Sequence, residues 1–139
     1  MPPLTRWFIR SALVYLVVSL LIGVALAAQG VIALPTVVNT LMPVYFHLFM
    51  VGWVTQIIFG VAWWMFPRVS TDDARGSERL ALVTYVTLNV GLIARAIAEP
   101  GLALRPAPSW AILLILSAAL QWLGALAFAA NIWRRVRGR

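Results

Sequence analysis

The side chains able to do chemistry in this 139-residue chain are few and widely spaced. Its one histidine, His47, sits in the apolar stretch 44–68, VYFHLFMVGWVTQIIFGVAWWMFPR. The other polar members of that stretch are Thr55, Gln56 and the ring edges of Tyr45, Trp53, Trp63 and Trp64. An imidazole in hydrocarbon is costly unless it is paired, so its position marks a candidate site. Two readings are open. In one, His47 donates to a carbonyl or hydroxyl on a neighbouring helix. In the other it is an axial ligand to haem iron, a role that neutral imidazole commonly takes. At helical spacing Val51, Val54, Ile58 and Ala62 extend the His47 face. Phe46, Phe49, Trp53 and Phe59 supply aromatic walls suited to a flat apolar group.

Two arginines complete the candidate chemistry. Arg95 lies near the end of a third apolar run, and Glu99, four residues on, shares its face and offers an ion pair. The alternative is that Arg95, or Arg105 in the following loop, binds haem propionates bidentately. Gly52, Gln56 and Gly60 form a separate row at i, i+4 and i+8, read as a close-packing face with Gln56 hydrogen-bonding across it. Asn89 and Gln121 fall mid-run and are read as interhelical hydrogen-bond partners. No acidic residue lies within an apolar run, no second histidine exists, and there are no cysteines. Those absences exclude a carboxylate proton relay, a multi-histidine copper or iron site, disulfides and covalent haem attachment within one chain.

The elements that must position these groups follow from composition. Apolar residues make up 63% of the chain and charged residues 11%, far below what a soluble domain carries. The formal charge of +7 comes from eleven arginines against four acids. These arginines cluster at the ends of apolar runs and form no basic domain, which points to membrane orientation and away from nucleic acid. The chain reads as one all-α domain over 1–139, an integral membrane four-helix bundle with helices at about 6–28, 40–66, 78–98 and 110–133. Arg6, Arg10 and the small residues Ala25, Ala27 and Ala28 also fit a signal peptide. The first apolar run is longer than a typical signal core and three more follow, so the helix is read as retained.

Caps and breakers set the expected ends. Asn39 or Thr40 should cap the second helix, with Pro43 in its first turn, and Pro67 should stop it. Ser77 should cap the third helix, with Pro100 and Gly101 ending it. Ser109 should cap the fourth. From Asn39 to His47 is about 12 Å along a helix, which puts the imidazole inside the hydrocarbon near the starting side. Nine arginines fall on the side of the two termini and Arg95 and Arg105 on the other. The positive-inside rule then makes both termini cytoplasmic in a bacterial or archaeal inner membrane, with His47 toward the outer face.

The second run also resembles a known family. His47, then Gly52-Trp53, Gly60 and the aromatic ending that runs into Pro67-Arg68, is similar to the second helix of haem–copper oxidase subunit I, in the branch of cbb3-type oxidases and nitric oxide reductases. The stretches NVGLIARAIAEP (89–100) and LAFAANIWRR (126–135) resemble helix ends in the same proteins. The resemblance implies a miniature scaffold binding haem b, with His47 as axial ligand near the outer face. Expected cofactor contacts are His47, Arg95, Arg105, Val51, Val54 and Trp53, with His47 as the iron ligand. One histidine cannot serve the active-site haem and copper of that family, so oxygen or nitric oxide reduction by this chain alone is not expected. A second axial group would come from His47 of another copy in a homo-oligomer, or from another subunit. The expectation is a membrane b-type cytochrome that transfers electrons or senses a diatomic gas. The competing expectation is a haem-free accessory subunit of a larger respiratory complex, docking through the Gly52/Gln56/Gly60 row.

Overall fold

The computed structural model describes residues 1–66 and 76–136. They form four helices, α1 (Pro3–Ala28), α2 (Thr36–Met65), α3 (Glu78–Leu104) and α4 (Pro108–Val136), with no strand among the described residues. Each helix is long and apolar enough to cross a membrane. The helices alternate in direction. At one end Pro3, Leu4 and Trp7 of α1 share a cleft of ≈ 320 Å³ with Glu78, Arg79 and Leu82 of α3. The last turns of α2 and α4 meet at the same end. His47, Arg95 and Glu99 come together at the other.

The helix ends depart from expectation where packing or proline chemistry decides. α1 begins at Pro3, a residue that loses nothing in a first turn because that N–H has no partner there anyway. α2 has no side-chain cap. Instead, a 3-10 turn over Thr36–Leu41 leads into it, and the Thr40 hydroxyl donates back to Val37 O at 2.7 Å. Pro43 does lie in the first α-turn. Ser77 caps α3 as its type suggests, accepting from Leu80 N at 3.3 Å. Pro100 does not end α3: the helix runs through it to Leu104, and Arg105 N still reaches Gly101 O at 3.0 Å. Pro100 forfeits one backbone bond, but Gly101 is held against the Trp110 indole, so the extra turn is kept by packing. Pro108 rather than Ser109 opens α4. The proposed stop at Pro67 lies outside the described residues, as do Arg68, Arg75, Arg137 and Arg139.

α1 and α2 pack by seating aromatic rings on glycines. A Cβ on Gly52 would lie 2.8 Å from Tyr15 Cγ, one on Gly60 2.8 Å from Phe8 Cβ, and one on Gly23 3.2 Å from the Tyr45 ring. The Gly52/Gln56/Gly60 row is therefore a close-packing face, as its spacing suggests, and α1 covers it. Gln56 is fully buried and exchanges a reciprocal pair of 3.3 Å hydrogen bonds with Asn89 of α3. The Tyr15 hydroxyl donates to Asn89 Oδ1 at 2.9 Å, so one amide joins three helices. Asn89 pairs with Gln56 and Tyr15; no hydrogen bond joins it to Gln121 among the described residues. The Gln121 amide nitrogen is buried without a hydrogen-bond partner among the described residues, and its Cγ would crowd a Cβ on Gly91 at 2.9 Å.

α3 and α4 form the second close pair. Beneath them Gly76, at φ +79°, makes a turn that few other residues adopt. That turn presents the Ser77 backbone to Asn131, whose amide takes both its N–H and its carbonyl at 2.9 Å. The two helix pairs meet through an apolar cluster of Leu4, Phe8, Trp63, Ala81 and Leu88 at one end, and of Val44, Leu48 and Leu92 at the other. Phe59 and Phe128 stack at 3.6 Å between α2 and α4.

Because the contacts at Gly52 fall on the fixed base of the Tyr15 side chain, Gly52→Ala should lower unfolding free energy by about 1–3 kcal/mol. Gly30→Ala, whose nearest neighbour would be 3.8 Å away, should change it by less than about 0.5 kcal/mol. Denaturation of the detergent-solubilised variants followed by circular dichroism checks the contrast, and equal effects at the two sites would contradict it.

Candidate functional site

His47 ends the first α-segment of α2, Met42–His47, and a π-helical stretch, Leu48–Thr55, follows directly. A π-turn widens the hydrogen-bond ring by one residue, and such turns often lie beside functional groups. The Thr55 hydroxyl reinforces it by donating to Met50 O, five residues back, at 2.8 Å. The sequence reading assumed a uniform 3.6-residue period here, and the π-turns break it. Val51 packs against both apolar clusters while Ile58 is exposed, so the row Val51, Val54, Ile58, Ala62 is split. Trp53 lies partly buried in an aromatic ladder, edge-on to Phe49 at 4.8 Å, with Phe49 in turn stacked on Tyr45 at 6.0 Å. Val54 is partly buried, while Phe46 and Met50 on either side of His47 are exposed.

The His47 ring is held at one nitrogen. Nδ1 lies 2.9 Å from Pro43 O, one helical turn back. A carbonyl only accepts, so Nδ1 carries the proton, and in the neutral ring the lone pair is on Nε2. Glu99 of α3 brings its Oε1 to 3.5 Å from the same Nδ1. The Arg95 Nε donates to that oxygen at 2.8 Å, which is the ion pair expected from the i, i+4 spacing. Side-chain exposure is 31% for His47, 22% for Arg95 and 9% for Glu99, so the carboxylate is the buried member. Its second oxygen, Oε2, has no hydrogen-bond partner among the described residues.

The structure thus brings His47 and Arg95 together through Glu99. Arg105 does not join them: it follows the last residue of α3, is exposed, and its side chain forms no hydrogen bond or ion pair among the described residues. Sequence reasoning had paired Glu99 with Arg95 alone. The signal for His47 was present in the antiparallel count, since the start of one helix and the end of the next share a depth.

The role of one arginine was also missed. Arg135, placed by the sequence among the charges of the tail, is 4% exposed. Its guanidinium donates twice to Trp63 O at 3.2 and 3.1 Å, donates to Phe66 O, and lies 5.4 Å from the Trp63 ring centre. The end of any helix leaves carbonyls without donors, and a cation is the favoured guest there. That need was readable in α2, but nothing in the sequence RRVRGR says which arginine meets it.

The geometry at His47 is that of a side chain able to serve as one axial ligand. Pro43 O holds Nδ1–H and so leaves Nε2 for a metal, the usual arrangement of a ligating histidine. No group of three His, Cys, Asp or Glu side chains able to hold a metal ion occurs among the described residues. No family model matches the chain, and no curated protein or solved structure matches it either.

Arg95→Gln should leave the Glu99 carboxylate buried without its cation and lower stability by about 1–3 kcal/mol. Adding Glu99→Gln should recover much of that loss. A double-mutant cycle by SDS-titrated unfolding measures the recovery, and additive losses would mean that the pair contributes nothing.

Proposed function

We propose that the protein is an integral membrane b-type haem protein, resembling haem–copper oxidase subunit I in its second helix, that transfers electrons or senses a diatomic gas. The observation that carries this reading is the His47 Nδ1–Pro43 O bond, which fixes the tautomer an axial ligand needs and leaves Nε2 free on a partly exposed ring. Haem b bound at His47 would supply a one-electron centre or, with one axial position open, an iron that binds gas. The tight ring-on-glycine packing of the bundle, together with exposed Phe46 and Met50 beside His47, favours a haem held on the outer surface between copies. A twofold axis would give it a His47 from each chain. Arg105, exposed and unpaired among the described residues, is the better candidate for a propionate, because Arg95 is already engaged by Glu99. Trp53, Val51 and Val54 remain candidate contacts along the same helix.

The arginine distribution supports an inner-membrane protein with both termini cytoplasmic and the His47 end outside. A second reading has its own observation. Pro43 O and Glu99 between them account for His47 without any ligand, as a haem-free accessory subunit of a respiratory complex would require. Such a subunit would dock through its outer apolar faces, since α1 already covers the Gly52/Gln56/Gly60 row.

A reduced-minus-oxidised spectrum of the detergent-purified protein from haem-replete cells should show a b-type Soret difference that His47→Ala abolishes. Roughly one haem per two chains is expected for the shared arrangement. No Soret band in the wild type would sink the haem reading in favour of the accessory subunit, and a band that survives His47→Ala would move the ligand elsewhere.

A further inference from the structure

We infer that Glu99 is the positioning residue of the His47 site: clamped by Arg95, its carboxylate biases the ring toward its Nδ1–H form and holds down the reduction potential of the haem proposed above. The inference rests on that reading and deepens it. A carboxylate with 9% side-chain exposure is costly unless its charge is used. Glu99 is only partly neutralised. Arg95 presents Nε alone, to Oε1 alone, and Oε2 is buried with no hydrogen-bond partner among the described residues. A bidentate pair would have spread the cation over both oxygens. The same Oε1 that Arg95 holds stands 3.5 Å from His47 Nδ1, so the carboxylate as a whole lies against the ring. Segments 16–35 and 106–133 contribute no acid or base, so Glu99, Arg95 and Arg105 are the charged groups on this half of the described chain.

The Nδ1–H is hydrogen-bonded to Pro43 O, and the Glu99 carboxylate acts on it as a nearby charge. Pro43 O comes from the same helix and would orient the ring in any case. Glu99 comes from α3 and adds what a carbonyl cannot, a full charge. A carboxylate behind a ligating imidazole raises the basicity of the nitrogen facing the metal. It also favours the more positive state of that metal, so the oxidised form gains and the potential falls. Arg95 moderates the effect and so sets its size.

The test uses the full chain in detergent and needs no assignment, because His47 is the only histidine. Redox titration with dithionite and mediators at fixed pH should give Glu99→Gln a higher potential than wild type. Glu99→Asp should fall near wild type, because the charge is restored, and Arg95→Gln should shift the potential downward. In haem-free protein, ¹⁵N-histidine spectra should show the proton on Nδ1 in wild type and a larger Nε2–H share in Glu99→Gln. A haem-bearing wild type whose potential and tautomer are both unmoved by Glu99→Gln overturns this inference and leaves the haem reading standing. A wild type without haem overturns the reading beneath it, and the control of potential falls with it.

Discussion

The structure depends on close fit and hydrogen bonding between helices that are long and apolar enough to cross a membrane. In lipid, one apolar helix face gains nothing by meeting another, and such contacts are what hold a bundle there. Here the fit is ring on glycine. Tyr15 and Phe8 of α1 rest on Gly52 and Gly60 of α2, and Tyr45 of α2 rests on Gly23 of α1. The same Tyr15 that fills the Gly52 seat turns its hydroxyl to Asn89, which is also paired with Gln56. Steric fit and polar pairing thus coincide at one level of the bundle, and moving either helix would break both.

Everything at the His47 end is placed by that junction. With α2 held at Gly52 and Gln56, the segment before it packs Val44 and Leu48 against Leu92 of α3. The π-turns between His47 and Gln56 take up the extra residue that this alignment requires. A continuous α-helix through the same stretch would rotate His47 relative to the Gln56 anchor. The imidazole then meets Glu99 because α3 continues past Ala98, itself fully buried, toward the same end.

The architecture was legible in the sequence because it rests on length and polarity, which are local. Four apolar runs, the Ser77 cap and the Gly52/Gln56/Gly60 face all follow from residue types and spacing, and the structure agrees with each. What escaped depends on contacts between distant segments. Pro100 looked like a stop, and only the seat of Gly101 on Trp110 shows why the helix goes on. The π-turns cannot be read from LFMVGWVT, whose composition suits either helix; within them Gly52 seats Tyr15, 37 residues away. The same holds for Arg135, chosen from a run of similar residues by two backbone carbonyls. At the candidate site Arg95 and Glu99 were legible as a pair, but their meeting with His47 was not drawn from the sequence.

The two ends of the bundle solve one electrostatic problem in different ways. At the end with the termini, Arg135 is spent on the open carbonyls of α2 and on the face of Trp63, so its charge completes a helix end. At the other end Arg95 meets a carboxylate instead, and no carbonyl claims it among the described residues. The C-terminal carbonyls of α3 are served by its own extra turn, with Arg105 N closing on Gly101 O. Extending α3 through Pro100 therefore has a consequence for the site. It removes the need for Arg95 to cap a helix and leaves it for Glu99, whose own charge then lies against the histidine. A purely structural ion pair would gain more from both carboxylate oxygens being paired. Here Arg95 and the His47 ring approach the same oxygen, Oε1, and Oε2 is buried with no hydrogen-bond partner among the described residues.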